Sequence, residues 1–193
     1  MRVPEIQTDR LLLRAIKDSD IDCFYEMCSD PEVMEFFPSV MSRQETEEMM
    51  GRMNELAEKN GYCFEVVADK RSGEPFGFVG LNVPRYQDQL HFGPCVEIGW
   101  RLKRSCWGKG IAVEAANAWL EYGFNHLGLE EIVAFTAKGN KKSQRVMEKL
   151  GMSYSAADDF EMPMLEKEHP LRSHVLYRLR SSDFSKVRLL TKG

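Results

Sequence analysis

No stretch of the 193 residues approaches the roughly 18 consecutive apolar residues that a membrane-spanning helix needs, so no membrane partner is expected. Met1-Arg2-Val3-Pro4-Glu5 shows no secretory pattern, and the expected location is the cytoplasm. Cysteine is sparse and unpatterned. Cys23, Cys28, Cys63, Cys95 and Cys106 are odd in number, contain no Cys-x-x-Cys pair and have no His at zinc-like spacing. They read as reduced thiols, mostly buried, and no metal site is expected. Cys106 stands apart, because a thiol at a helix N-terminus can acquire a lowered pKa. His91, His126, His169 and His174 form no His-Glu-x-x-His pattern and read as structural or surface residues. Positive charge is also short. A net charge of -4 with no stripe of Lys and Arg excludes a nucleic-acid partner, whose phosphates would need neutralising. The most basic stretch, residues 186–192, lies at the terminus and reads as a solvated tail. Internal repeats, low-complexity tracts and interdomain linkers are missing as well, so residues 1–180 read as one domain and 181–193 as a C-terminal tail.

What is present is ordinary globular composition, 43% hydrophobic and 29% charged, enough to bury a full core. Thr8-Asp9-Arg10-Leu11-Leu12-Leu13-Arg14 predicts a first strand, and Asp18 or Ser19 is placed to cap a helix running to about Cys28, ended by Asp30-Pro31. Ser42-Arg43-Gln44-Glu45 is a capping box, after which Met49, Met50, Met53, Leu56 and Ala57 recur at helical spacing until Asn60-Gly61. That Met stripe reads as core-facing rather than as a flexible ligand wall. Residues 62–68 and 76–83 are β-rich runs joined as a hairpin. Further strands are predicted over 96–102, 132–137, 154–156 and 174–179, with helices from the end of the 104–112 loop to Leu127 and from Lys141 to Leu150. The pattern implies an α/β (α+β) fold, a mixed sheet of about seven strands with helices on both faces.

The organising feature is Arg104-Ser105-Cys106-Trp107-Gly108-Lys109-Gly110-Ile111-Ala112, a glycine-bearing loop between an apolar strand and a long helix. A strand entering a Gly-x-Gly turn at a helix start leaves backbone N–H groups unpaired, backed by the positive end of the helix dipole, and that geometry binds phosphate. Two familiar phosphate loops fail letter by letter. A dinucleotide fingerprint needs a small residue where Val113 stands, and a triphosphate loop needs Ser or Thr after Gly-Lys, where Gly110 stands. The segment Glu97-Ile98-Gly99-Trp100, then Trp107 through Ala112, then Glu114-Ala115, resembles the acetyl-CoA site of the GNAT N-acetyltransferases, and most closely their RimJ/RimL branch. Thr8-x-Arg10-Leu11-x-Leu13-Arg14 followed by a polar capped helix is similar to the way that branch begins. The pattern departs from the wider family at Ser105, where Gln or Arg is usual, with Arg104 one place early.

The resemblance implies a GNAT fold whose fourth and fifth strands are parallel and splayed, with acetyl-CoA as co-substrate and no metal. It implies cofactor contacts at Ile98, Trp100, Leu102, Lys103, Trp107, Gly108, Lys109, Gly110, Ile111, Ala112, Asn140 and Ser143. A backbone N–H near Ile98 to Trp100 would face the thioester carbonyl. Glu97 is the implied base and Ser143 the implied proton donor to the departing thiolate. Each has a plainer reading. Strand alternation puts Glu97, Gly99 and Arg101 on one face, so Glu97 reads equally as an exposed carboxylate near Arg101. Asn140 is a favoured N-cap with Ser143 in the first turn, Trp107 is equally a packing residue, and Lys109 either meets a phosphate or stays exposed. Gly99 inside an apolar strand marks a bulge or a close approach. The segment 158–172 is a candidate acceptor wall, and His174 ends near it in the resembled fold. The implied reaction moves an acetyl group to a primary amine, on a protein N-terminus or a small molecule. A noncatalytic acyl-CoA-binding sensor is the alternative. Oligomeric state, monomer or homodimer, is not readable from the residues.

Overall fold

Helix starts and stops fall where local chemistry puts them. In this computed structural model, which describes residues 4–184, α2 (Arg43–Asn60) opens on the capping box, Ser42 Oγ accepting from Glu45 N–H and Glu45 Oε2 accepting from Ser42 N–H, and closes at Gly61. The basic stretch 186–192 lies outside the described residues. Helix α1 (Ile21–Ser29) departs from expectation: residues Asp18–Asp20 form a 3-10 turn, and Asp20 rather than Asp18 or Ser19 flanks the helix. The Asp20 carboxylate makes no cap bond because Arg14 holds it bidentately at 2.7 and 2.8 Å, and it also accepts the Lys17 N–H at 2.8 Å.

The described residues divide into two compact units, 4–82 with 99–119, and 83–98 with 120–184. The first unit contains β1 (Ile6–Gln7), β2 (Leu11–Arg14), β3 (Phe64–Asp69) and β4 (Pro75–Asn82), paired antiparallel in sequence order through β3 and β4. Its core gathers Phe24, Met27, Cys28, Met50, Met53, Ala57, Val66 and Phe78, with Met49, Leu56 and Phe64 packed against it. The Met stripe therefore belongs to the core. Strand β5 (Glu97–Leu102) passes from the second unit into the first at Gly99. A Cβ at Gly99 would stand 2.9 Å from the Phe64 ring, so the close approach that its position predicts is made by that ring.

In the second unit, β5 meets β6 (Glu131–Ala137) in parallel at Glu97↔Val133, with Val133 N–H donating to Val96 O at 3.0 Å. Strand β9 (Ser173–Arg180) pairs antiparallel along all of β6 and also carries β7 (Ser153–Tyr154) and β8 (Phe160–Glu161). Helix α4 (Lys141–Lys149) follows β6, and α3 (Ile111–Asn125) follows β5. The fold is α/β, a mixed and mostly antiparallel sheet flanked by helices, with nine strands among the described residues in the order β1-β2-β3-β4-β5-β6-β9-β7 and β8 beside β9. Seven were expected, and β1 and β8, each two residues long, account for the difference. Strand β7 also ends sooner than the expected 154–156, because Ser155 Oγ accepts from Ala157 N–H and starts a 3-10 turn. Beyond β9, Phe184 is buried against Phe124 with ring centroids 5.1 Å apart, so packing continues past residue 180.

Candidate active site

After β5 the chain makes a 3-10 turn at Arg104–Cys106, straightens at Trp107, and reaches Gly108 and Gly110 with φ of +74° and +77°. Only glycine adopts such angles without strain. Nothing lies within 4 Å of the place a Cβ would take at Gly108, and at Gly110 only Arg10 Nη2 is near, at 3.5 Å. The turn is thus not filled by the protein's own side chains. The first backbone bond of α3 runs from Glu114 N–H to Gly110 O at 3.0 Å, which leaves the amides of Ile111, Ala112 and Val113 without an intrahelical acceptor. Free amides at a helix start, backed by the helix dipole, are groups of the kind that bind anions.

A network that the local motif does not reveal holds this loop. Glu114, in the first turn of α3, accepts from Thr8 Oγ1 at 2.5 Å, from Arg10 N–H at 3.1 Å and from Arg10 Nε at 2.6 Å, while Arg10 Nη1 donates to Lys109 O at 3.1 Å. Burial works against ionisation of Glu114, but the bonds from Thr8 and Arg10 outweigh it and hold the carboxyl below its usual range. The negative charge near the free amides is therefore matched by a guanidinium. No sequence pattern pointed to this tie, because Thr8 and Arg10 lie more than a hundred residues from their partner.

The other predicted contacts of the first unit sort by what their side chains already touch. Trp107 donates its Nε1–H to Leu102 O at 3.0 Å and packs on the α1/α2 core, in keeping with its packing reading. Lys103 lies near Glu26 and Glu74, at 3.8 and 3.4 Å, and its amide donates to Phe76 O. Arg104 pairs with Asp30 and Glu32. The cavity that these two cations line, with Glu26, Met27, Asp30 and Val33, is thus already neutralised by acids. Lys109 is exposed, Trp100 and Ala112 are half-buried, and Leu102 and Ile111 are buried. Cys106, the thiol that its place before a helix singled out, is buried at 5% exposure.

The second unit contains Glu97, Ile98, Asn140 and Ser143. Glu97 is half-buried at the β6 pairing, and Ile98 is buried. The charge of Glu97 is felt nearby: burial raises the pKa of Tyr86 and Glu97 adds to the rise, and burial followed by Glu97 pushes the Cys95 thiol up to about 11. Asn140 N-caps α4, its Oδ1 accepting from Ser143 N–H at 3.1 Å and its Nδ2 donating to Thr136 Oγ1 at 3.0 Å. Ser143 Oγ makes no hydrogen bond among the described residues. Arg101, read in sequence as a partner for Glu97, turns instead into the first unit's core, against Cys28, Phe37 and Phe78. In the 158–172 segment Phe160 and Met162 are core residues, clustered with Val133 and Leu176, whereas Met164 is 62% exposed. His174 is buried beside Phe160, and burial lowers its pKa. Among the described residues no group of three or more His, Cys, Asp or Glu is placed to hold a metal ion, and no helix is long and apolar enough to cross a membrane.

Comparison with known proteins adds a lineage to this geometry. A family profile described as an acetyltransferase (GNAT) domain matches residues 10–153. The uncharacterized protein YkkB of Bacillus subtilis is 38% identical over 153 residues, 78% of this chain and 86% of its own length. The uncharacterized N-acetyltransferase YnaD of the same organism is 34% identical over 148 residues, 76% of this chain and 81% of its own. Among solved structures, a GNAT-family acetyltransferase from Bacillus anthracis superposes with a TM-score of 0.77 at 26% identity, covering 93% of this chain and 99% of the other. The fold is also shared with ribosomal-protein-S5-alanine acetyltransferase from Vibrio fischeri, at a TM-score of 0.71 and 21% identity over 94% and 98% of the two chains.

Proposed function

Because this chain belongs to the GNAT acetyltransferase family, we propose that it is an N-acetyltransferase of the RimJ/RimL-like kind, moving the acetyl group of acetyl-CoA to a primary amine. The observation that carries the reading is the open turn at Gly108 and Gly110, with three unpaired helix amides beside it. These groups suit the diphosphate of acetyl-CoA, whose thioester supplies the acyl group when bound. Backbone donors carry that grip, since Lys103 and Arg104 are engaged by acids and Lys109 remains as the side-chain cation of the loop.

In the proposed reaction Glu97, directly or through a water, takes a proton from the amine. The nitrogen then forms a C–N bond to the thioester carbonyl, and the C–S bond breaks. A backbone N–H of β5 near Ile98 to Trp100 stabilises the oxyanion, a contribution of a few kcal/mol where such a donor is preorganised. Ser143 Oγ passes a proton to the departing sulfur and regains one through solvent, Glu97 gives its proton up to solvent, and the nitrogen sheds its second proton as the C–S bond breaks, so that an ammonium acceptor loses two protons, one ending on the thiol and one in solvent. Asn140 fixes the first turn of α4 and with it the Ser143 backbone. An α-amino group, which titrates near 8, asks less of Glu97 than a lysine amine near 10.4. That difference, together with the fold shared with a ribosomal-protein acetyltransferase, favours a protein N-terminus over a lysine side chain as acceptor. A small-molecule amine makes the same demand. A cytoplasmic setting suits the five free thiols.

Thiol release from acetyl-CoA, followed across a panel of peptide N-termini and small amines, tests the reading. Acceptor-stimulated release with an N-acetylated product is the expected result. Tight CoA binding with no stimulated release would mean a noncatalytic acyl-CoA sensor.

A further inference from the structure

Arg101 is a cation without a counter-charge. It follows Gly99 and Trp100 on β5 and enters the face of the first unit covered by α1 and α2. Nη1 donates to Cys28 Sγ at 3.2 Å and to Met49 Sδ at 3.8 Å, with Met41 Sδ at 4.0 Å. The Phe37 ring lies 3.9 Å from the guanidinium carbon and the Phe78 ring 5.3 Å from it. Nε is buried with no hydrogen-bond partner, and among the described residues no carboxylate forms an ion pair with Arg101. Burial drives its pKa down, and only Cys28 opposes this, as befits a charge stripped of water and left with soft neighbours.

Sulfur and aromatic faces give a guanidinium weak compensation; a carboxylate gives it charge-assisted, bidentate hydrogen bonds. Other arginines of this unit have carboxylate partners, Arg10 on Glu114, Arg14 on Asp20, Arg43 on Asp22 and Arg104 on Asp30. Arg101 has none among the described residues and is surrounded by aromatic rings and sulfur instead. The site is not sealed. Arg101 is only half-buried as a residue, Phe37 is 37% exposed above it, and Val40 three residues on is 46% exposed. An incoming group would thus meet an apolar rim and, beneath it, a guanidinium whose Nη1 is turned to sulfur and whose Nε has no partner.

We propose that Arg101 is a specificity-determining residue that receives a carboxylate of the acceptor, carried on an apolar body that packs against Phe37. The proposal rests on the transferase reading for the word acceptor, but its test does not depend on turnover. The probes are 3-phenylpropanoate and its carboxamide, titrated calorimetrically into the whole protein. The acid is expected to bind at least tenfold more tightly than the amide, with an affinity that falls as salt rises. Arg101→Met should make the two probes equal, Arg101→Lys should retain part of the preference, and Phe37→Ala, at an exposed position, should weaken both probes several-fold. Equal affinity of the two probes for the wild-type protein, no binding of either at millimolar concentration, or a preference that survives Arg101→Met would each overturn the proposal. Should Arg101→Met fail to fold, the wild-type and Arg101→Lys comparisons still decide it. Failure of the transferase reading looks different: no amine stimulates CoA release, while the acid preference remains intact.

Discussion

A general base on a strand is useful only if its loss hurts the chemical step more than the binding step. Glu97→Gln keeps the size and hydrogen-bonding shape of the side chain while abolishing proton uptake. It is expected to lower kcat by about 10²- to 10⁴-fold with the KM for acetyl-CoA changed less than about threefold. The acid limb of the pH–rate profile should vanish with it. Steady-state kinetics from pH 5 to 9 checks both, and unchanged activity across that range removes Glu97 from the mechanism. Asn140 and Ser143 can be separated in the same way, because the structure uses Ser143 through its backbone N–H and leaves Oγ without a partner. Ser143→Ala should leave the melting temperature unchanged and lower kcat about tenfold. Asn140→Ala removes the N-cap of α4 and should cost about 1 kcal/mol of stability as well. Equal stability losses in the two variants would mean that Ser143 Oγ is structural. At this scale the sequence was readable where a short local pattern sets the backbone, as at the Asn140 cap over Ser143. It was not readable for Arg101, whose surroundings come from Cys28, Phe37, Met41 and Met49, dozens of residues away and on other elements.

Among the elements, the loop before α3 and the strand β4 both depend on glycine, for different reasons, and substitution should separate them. At Gly108 the backbone is left-handed but a methyl group meets nothing, so Gly108→Ala should cost only the αL penalty of about 1–2 kcal/mol. The same methyl stands where a phosphate would approach, and the KM for acetyl-CoA should rise at least about tenfold. At Gly77 a Cβ would come within 2.3 Å of Arg101 O, a backbone atom that cannot step aside. Gly77→Ala should therefore lose at least about 3 kcal/mol, with any loss of activity following loss of fold. Thermal denaturation beside acetyl-CoA saturation curves distinguishes the two, and a Gly108→Ala variant with unaltered KM would undo the cradle. The Gly108-x-Gly110 turn was legible because glycine announces its own backbone; the need at Gly77 was not, because it arises from a neighbouring strand. Similarly, periodicity located strands of six to eight residues to within one or two positions, while β1 and β8 are too short to have a period at all. The tie from Thr8 and Arg10 to Glu114 was invisible for the same reason as the Arg101 site, since it joins distant segments.

For the molecule as a whole, one pH-dependent burden on stability comes from Glu65. It lies on β3 at 1% exposure, and neither carboxyl oxygen makes a hydrogen bond of normal geometry. Burial pushes its pKa up to about 8, with the Ile16 backbone amide pulling weakly the other way. A carboxyl raised in this way is neutral in the folded protein near pH 7 and ionised in the unfolded chain. Below the unfolded value of 4.5 both states hold the proton, and Glu65 adds no pH dependence. Between there and about 8 the unfolded chain binds fewer protons than the folded one, so stability falls as pH rises, by up to about 1.4 kcal/mol per unit. Above that window both states are ionised and the slope ends. Urea midpoints measured from pH 5 to 8 should therefore decline in the wild-type protein, and Glu65→Gln, which cannot ionise, should flatten the decline while leaving the acid-side stability similar. A wild-type midpoint that rises from pH 5 to 8, or identical slopes in wild type and Glu65→Gln, would show that Glu65 is ionised in the fold and that its site admits water.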